Sequence, residues 1–380
     1  MTDVYVVGTD MIKFGRFPDR SVPDLGAQAA LMALDDAGLT IHDMQALYCG
    51  NLGEASAMVG QRVLREIGQT GIPVVNTANA CATGATAFRE GWMAIKAGVY
   101  DIVLAVGVEQ MGKGLLGGAG GGSGISTEGL LGSGTMPATF AHVGMEHSRK
   151  YGTTFEQFAK VSVKNHHHST LNPKAMYQIE TPLQEVMGAE MISYPNTKLM
   201  CSVNVDGSAA AVLCSEKKAK ELGLMKRAVK VRGSALTSDP YSTRNLVMAD
   251  FNGATRSAAK IAYEMAGVGP EDVDLVELHD CFATAEIVHY ENLGLCADGE
   301  GGRMIDEGAT ALGGKIPVNV SGGLLSKGHP LGATGIANIY EITTHLRGEA
   351  GKRQVEGARI GLTHVVGMGG ACAIHVLEKA

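Results

Sequence analysis

The tripeptide Ile-Pro-Val occurs twice, at 72–74 and at 316–318, and each copy runs through a loop of small residues to Gly-Ala-Thr, at 84–86 and at 332–334. An apolar run that ends in small residues and then turns helical is a strand–turn–helix unit. Two such units in a chain of 380 residues predict an α/β protein built from two similar βα halves. The loops differ in length, so the repeat is weak as sequence, but its consequence is specific: two equivalent helix N-termini would meet and build one site from both halves. The composition agrees, with 52 glycines, 45% hydrophobic residues and only 5% aromatics, as in an aliphatic, tightly turned α/β core.

In chain order, Val4–Gly8 reads as a strand, Pro23–Gly38 as a helix closed by its glycine, Ala46–Gly50 as a strand and Val59–Gly68 as a helix. IPVVN is expected as a buried strand ending at Asn76. From Thr83 a helix follows, with Ala85, Phe88, Trp92 and Ile95 on one face, and the unbroken apolar run at 101–108 suits the centre of a parallel sheet. Between Gly112 and Gly134 the chain is glycine-rich, lacks GxxxxGK[ST] and does not open a helix, so a mobile loop is expected and a phosphate cradle is not. Residues 137–200 show helical patterns and no long buried strand. The domain reading is therefore a first half at 1–112 plus about 201–245, an inserted loop subdomain at 113–200, and a second half at 246–380.

A net charge of −7 argues against nucleic acid or anionic membrane as a partner. No apolar run is long enough to span a bilayer, and the N-terminus enters a strand with no leader. Seven cysteines without framework spacing fit reduced thiols in a cytoplasmic protein. The run His166-His167-His168 reads as the solvated face of a polar helix and not as a metal site.

Three strand–helix junctions carry chemistry. Cys81 sits between IPVVN and the Thr83 helix, where backbone N–H groups and the helix dipole favour a thiolate; the plainer reading is a small packing cysteine. His329, in SGGLLSKGHPLGATG, stands just before the second Gly-Ala-Thr, where it can take a proton from a thiol, point an N–H at a carbonyl, or simply face water. His279, Asp280 and Cys281 follow the strand 274–278 at its carboxyl end, the usual place for ligands in open α/β sheets.

The segments NACATGATA, ELHDCFATAE, SGGLLSKGHPLGATG and THVVGMGGA resemble the motifs of the thiolase superfamily, and HDCF resembles the sterol carrier protein type of 3-oxoacyl-CoA thiolase. The resemblance covers essentially the whole chain. It implies a layered α-β-α-β-α fold and a CoA-dependent acyltransferase of lipid metabolism, with Cys81 as nucleophile and His329 as its activator. The last glycine loop, THVVGMGG, lacks the cysteine that many thiolases carry there, which passes the acid/base role to Cys281. His279 would stand where the family's asparagine orients an oxyanion-hole water, and a second hole would use backbone N–H groups of Cys81 and of the 365–369 turn, Val365 and Gly367 among them. Cys372 is expected in the core. Coenzyme A would be a cosubstrate, with no permanent cofactor and no metal. The partners implied are acyl-CoA and CoA, a second copy of the chain as a homodimer, and room for a small acyl-CoA-associated protein. With Ala380 last, no lipid-carrier module is expected after the second half.

Overall fold

The computed structural model describes residues 2–112, 135–240, 251–368 and 370–380; the glycine-rich stretch 113–134, the expected boundary near 246 and Gly369 lie outside them. The first half opens with β1 (Val4–Met11), α1 (Val22–Ala37), β2 (Leu47–Gly50), α2 (Val59–Ile67), β3 (Val74–Thr77), α3 (Thr83–Lys96) and β4 (Ile102–Glu109). The next segment holds α4 (Met136–Tyr151), α5 (Phe155–Thr170), α6 (Leu183–Gly188) and the hairpin β5 (Met191–Ser193) and β6 (Asn196–Thr197). Then come β7 (Gly207–Ser215), α7 (Glu216–Glu221), β8 (Val229–Ser238), α8 (Phe251–Ala266), β9 (Leu275–Glu277), α9 (Ala283–Asn292) and α10 (Gly301–Asp306). The chain closes with α11 (Thr334–Arg347), β10 (Ile360–Gly367) and β11 (Ala371–Lys379).

Local chemistry accounts for the boundaries. Ser21 accepts the Asp24 N–H at 3.3 Å and Pro23 sits in the first turn of α1, while Gly38 closes it at φ 66°. All eight residues of β4 are buried, as its apolar run requires.

The sequence echo reappears as strand order. Nine strands form one mixed sheet in the order β3-β2-β4-β7-β1-β8-β11-β10-β9. In the first half β2 runs parallel to β3 and β4, while β4–β7 and β7–β1 are antiparallel. The same pattern repeats outward from β8, a strand expected at the end of the first half but paired with β11 of the second: β8–β11 and β11–β10 are antiparallel and β10–β9 is parallel. Val318, from the second Ile-Pro-Val, bridges Val276 in parallel, taking the place that Val74 holds beside β2. A short β1–β8 pairing (Tyr5–Lys230, Val6–Val229) joins the halves.

Alternating side chains set the layers. Val7, Leu104 and Val106 pack on α1 and α2, whereas Val6, Val103 and Ala105 pack on α3 and α11, and Ile374 and Val376 lie against α8 and α9. Helices α3 and α11 therefore form a central layer, and their N-termini touch. A Cβ added at Gly84 would lie 2.4 Å from the Gly332 carbonyl oxygen, and one at Gly335 would lie 2.3 Å from the Ala85 nitrogen. Only glycine permits that approach.

Two expectations need correction. The strand β4 is not inside a parallel sheet: β2 beside it is parallel but β7 is antiparallel. Nor is IPVVN a buried strand, because β3 is a sheet edge with Val75 43% exposed. An apolar run cannot by itself distinguish a central strand from an edge. The segment from Met136 onward packs its apolar side on the second half, placing Phe140, Phe158 and Met200 in one core with Phe282 and Ile287. Among the described residues no helix is long and apolar enough to cross a membrane.

Candidate active site

Cys81 lies on a constrained turn. Ala80, just before it, has φ 47°, a left-handed conformation that an alanine adopts only at a cost. The turn is held from the helix side: Thr83 Oγ1 accepts the Asn79 N–H at 2.7 Å and donates to the Ala80 carbonyl at 2.6 Å. Gly367, at the end of β10, gives the turn its other wall, since a Cβ there would meet the Asn79 carbonyl oxygen at 2.4 Å. The backbone N–H groups of Met368 and of Cys81 itself point at the sulfur. Val365 is paired with Ala373 in the β10–β11 ladder, and its side chain packs with Ala82 and Ala85 beside Cys81.

The second half supplies His329. A single π-helical turn, Gly323–Lys327, leads to it, and α11 begins five residues later at Thr334. Thr334 donates its hydroxyl proton to the Pro330 carbonyl at 3.0 Å, so its oxygen is left to accept the His329 Nδ1–H at 2.8 Å. Neutral His329 therefore has a bare Nε2, a proton acceptor.

The strand β9 delivers the third element. His279 and Cys281 enter the cavity with Cys81 and His329, and His279 Nε2 lies 3.4 Å from His329 Nε2. The Cys81 sulfur and one ring nitrogen from each histidine all lie within 4.8 Å of one another. Asp280 does not join them: it turns away to accept the Leu324 N–H at 2.8 Å and an Asn165 amide proton at 2.8 Å. Its role is to tie the turn of His279 and Cys281 to the turn that leads to His329.

Burial sets the protonation states. Cys81 is pushed up to about 12 by desolvation, against the smaller lowering effect of the Met368 and Cys81 N–H groups. The helix N-terminus thus does not give the resting thiolate expected from sequence. His329 is pushed down to about 3 by burial and then by the Lys327 charge. His279 falls well below the usual imidazole range for the same first reason, and Cys281 rises well above the usual thiol range. The resting site is a neutral thiol facing neutral imidazoles.

These groups open onto a cavity of about 660 Å³, walled by Met136, Phe140, Ile179, Ile192, Leu199 and Phe282. Two family descriptions divide the chain: the thiolase N-terminal domain matches residues 4–190 and the thiolase C-terminal domain-like family matches 236–379. This protein belongs to the thiolase family. A human relative, sterol carrier protein 2, is 40% identical over 98% of this chain and 71% of its own length. The acetyl-CoA acetyltransferase of Methanothermobacter thermautotrophicus is 41% identical over 100% of both chains. Among solved structures, an Ltp2-ChsH2(DUF35) aldolase superposes with TM-score 0.84 at 23% identity, over 99% of this chain and 97% of that one. Human mitochondrial 3-ketoacyl-CoA thiolase in complex with CoA superposes with TM-score 0.74 at 18% identity, over 100% and 98%. Both solved structures share the fold, and the chain is a thiolase-family acyltransferase.

Several features of this thiolase were not legible from its sequence. Thr334 stood in the repeated Gly-Ala-Thr, but only the hydroxyl's two contacts reveal that it fixes the His329 tautomer. Met368, between two glycines, offers its N–H through the backbone alone. The histidine run is not a solvated face, because successive helical residues point about 100° apart and α5 is packed on most sides: His166 and His168 are buried and His167 alone is exposed. His168 is satisfied at both nitrogens, by the Asn319 carbonyl and the Leu312 N–H. His166 bonds Ser326 and borders the cavity. Cys372 is fully buried, its nearest polar partner being Thr255 at 3.8 Å.

Proposed function

We propose that this thiolase cleaves 3-oxoacyl-CoA with coenzyme A to acetyl-CoA or propionyl-CoA and a shortened acyl-CoA, and runs the same chemistry backwards as a Claisen condensation. The observation that carries this reading is the convergence of Cys81, His329 and His279 within 4.8 Å, with Cys281 lining the same cavity. Cleavage between carbons two and three needs a nucleophile at the ketone and support for an enolate leaving group. The bare Nε2 of His329 takes the Cys81 proton as the substrate arrives, and the thiolate attacks the ketone. The Cys81 and Met368 N–H groups, which point at the sulfur, then receive the oxygen of the acyl-cysteine adduct. His329, now carrying Nε2–H, and His279 beside it stabilise the enolate oxygen. Cys281 delivers the proton to carbon two, and CoA then accepts the acyl group. The apolar walls suit a hydrocarbon acyl group, and β3, an edge of the sheet among the described residues, suits a homodimer contact.

A second reading, retro-aldol cleavage or acyl transfer to another acceptor with a partner protein, draws on the Ltp2-ChsH2(DUF35) aldolase likeness. That likeness is one of fold. Two thiols opposite a histidine are what Claisen chemistry uses, and they favour the first reading. The deciding assay offers a panel of 3-oxoacyl-CoAs with CoA and follows shortened acyl-CoA. Turnover that needs CoA and disappears in Cys81→Ala supports it. Cleavage that proceeds without CoA, or turnover unaffected in Cys81→Ala, overturns it.

A further inference from the structure

The same three side chains have the geometry of a metal site, a property separate from whichever carbon–carbon reaction they perform. Zinc takes imidazole nitrogens at about 2.0–2.1 Å and thiolate sulfur at about 2.3 Å in tetrahedral sites. Two nitrogens at that distance, separated by a tetrahedral angle, stand about 3.3 Å apart. His279 Nε2 and His329 Nε2 stand 3.4 Å apart. The Cys81 sulfur is within 4.8 Å of a ring nitrogen of each histidine, so a closure of about 1 Å by one side chain completes a sulfur-and-two-nitrogen set. Among the described residues this is the one group of three or more metal-ligating side chains so placed.

The surroundings support the donor atoms unequally. The Nδ1–H of His329 is held by Thr334 at 2.8 Å, which leaves Nε2 unprotonated and fixes the ring, as the outer partners of metal-bound histidines do. Among the described residues the buried Nδ1 of His279 has no hydrogen-bond partner, so when its Nε2 binds a metal the ring proton moves to a nitrogen with no acceptor there. One strong imidazole, one weaker imidazole and a thiol that must ionise describe a reversible site and not a permanent structural one.

We propose that Cys81, His279 and His329 bind Zn²⁺ as a reversible inhibitory site, the ion's open coordination position facing the acyl cavity. Binding replaces the Cys81 S–H with an S–Zn bond and releases one proton per ion. It occupies the sulfur that would attack and the Nε2 that would deprotonate it, so a metal-bound chain cannot be acylated. The thiolate and imidazole set selects a borderline-soft ion over Mg²⁺ or Ca²⁺.

The test uses the whole protein after chelator treatment. ZnCl₂ is titrated against a chromophoric chelator, Cys81 is followed by iodoacetamide labelling and mass spectrometry, and CoCl₂ serves as the spectroscopic substitute. The expected result is one Zn²⁺ per chain, loss of Cys81 labelling that EDTA reverses, release of one proton, and a thiolate-to-cobalt charge-transfer band. Cys81→Ser should abolish the band and His279→Phe should weaken binding. Thr334→Val should weaken it about 10- to 100-fold as an outer partner, while Cys296→Ser, outside the cavity lining, should bind as wild type. If a variant does not fold, the wild-type protection experiment alone still decides. No tight binding, or one equivalent bound with Cys81 still freely labelled, overturns the proposal.

Discussion

Thr334 Oγ1 accepts the Nδ1–H of His329 at 2.8 Å while donating its own proton to the Pro330 carbonyl at 3.0 Å. That pair of bonds decides which nitrogen of His329 is the base. Because Thr334 opens α11 and Cys81 precedes α3, the contact between the two helix N-termini sets the distance between base and nucleophile.

Replacing Thr334 by valine keeps the shape and removes the acceptor. A buried donor left unpaired costs about 1–3 kcal/mol, or roughly a ten- to hundredfold loss in rate if it falls on the transition state. The expected outcome for Thr334→Val is such a fall in kcat with little change in KM. Serine at the same position should recover most of it. Wild-type kcat in the valine variant would remove the tautomer argument.

The neutral thiol makes a prediction about pH. With Cys81 near 12 and His329 near 3, neither changes charge around neutrality. Alkylation by iodoacetamide should therefore accelerate with rising pH, to about pH 10 and beyond, following a thiolate fraction that grows about tenfold per unit. His329→Ala should slow labelling at neutral pH by removing the base. A resting thiolate–imidazolium pair would instead give a plateau around pH 6–8, and a measured plateau would show that the burial argument fails.

Acid should destabilise the fold before it protonates most carboxylates. His168, His289, His329 and His375 are held neutral, pushed down to about 3 mainly by burial. In the unfolded chain each binds a proton near pH 6.5. Below that pH the unfolded state binds more protons than the folded one, so stability falls as pH falls. At pH 5 each such histidine contributes a loss of about 2 kcal/mol. The denaturation midpoint should drop sharply between about pH 6.5 and 5. A flat midpoint across that interval would mean these imidazoles reach solvent.

The repeated Ile-Pro-Val and Gly-Ala-Thr announced two halves, and Val74 and Val318 do occupy matching places at the two sheet ends. Cys81, His279 and Cys281 were visible because each stands between a strand and a helix, and His329 because it stands in a glycine-rich turn just before one; a chemically distinctive residue at such a junction stands out. Asp280 shared that signal yet faces the other way, since adjacent residues in an extended segment point to opposite sides. The protonation states were not legible, because a helix N-terminus can be read from sequence whereas the depth of burial that outweighs it cannot. His166 and His168 went unread for the same reason: their burial comes from the turn at 323–327 and from residues near 319, more than 150 positions away.

Cys281 gives the most demanding prediction. The last glycine loop brings Met368 to Cys81 but no thiol, and Cys372, on β11, is buried beside Thr255. Cys281 lines the cavity, close enough to Cys81 that a charge on Cys81 raises the proton affinity of Cys281. Its thiol is held well above the usual range, so it stays protonated and can donate to a carbanion at carbon two. Cys281→Ala should suppress exchange of the acetyl-CoA methyl protons with deuterated water by roughly 10²–10⁴-fold, the usual general acid–base contribution. The same variant should still accept an acyl group on Cys81, because that half-reaction forms no carbanion. Cys372→Ala should leave both activities near wild type. Exchange that survives without Cys281 but is lost without Cys372 would move the acid/base to the other loop, and with it the assignment of which strand end completes the site.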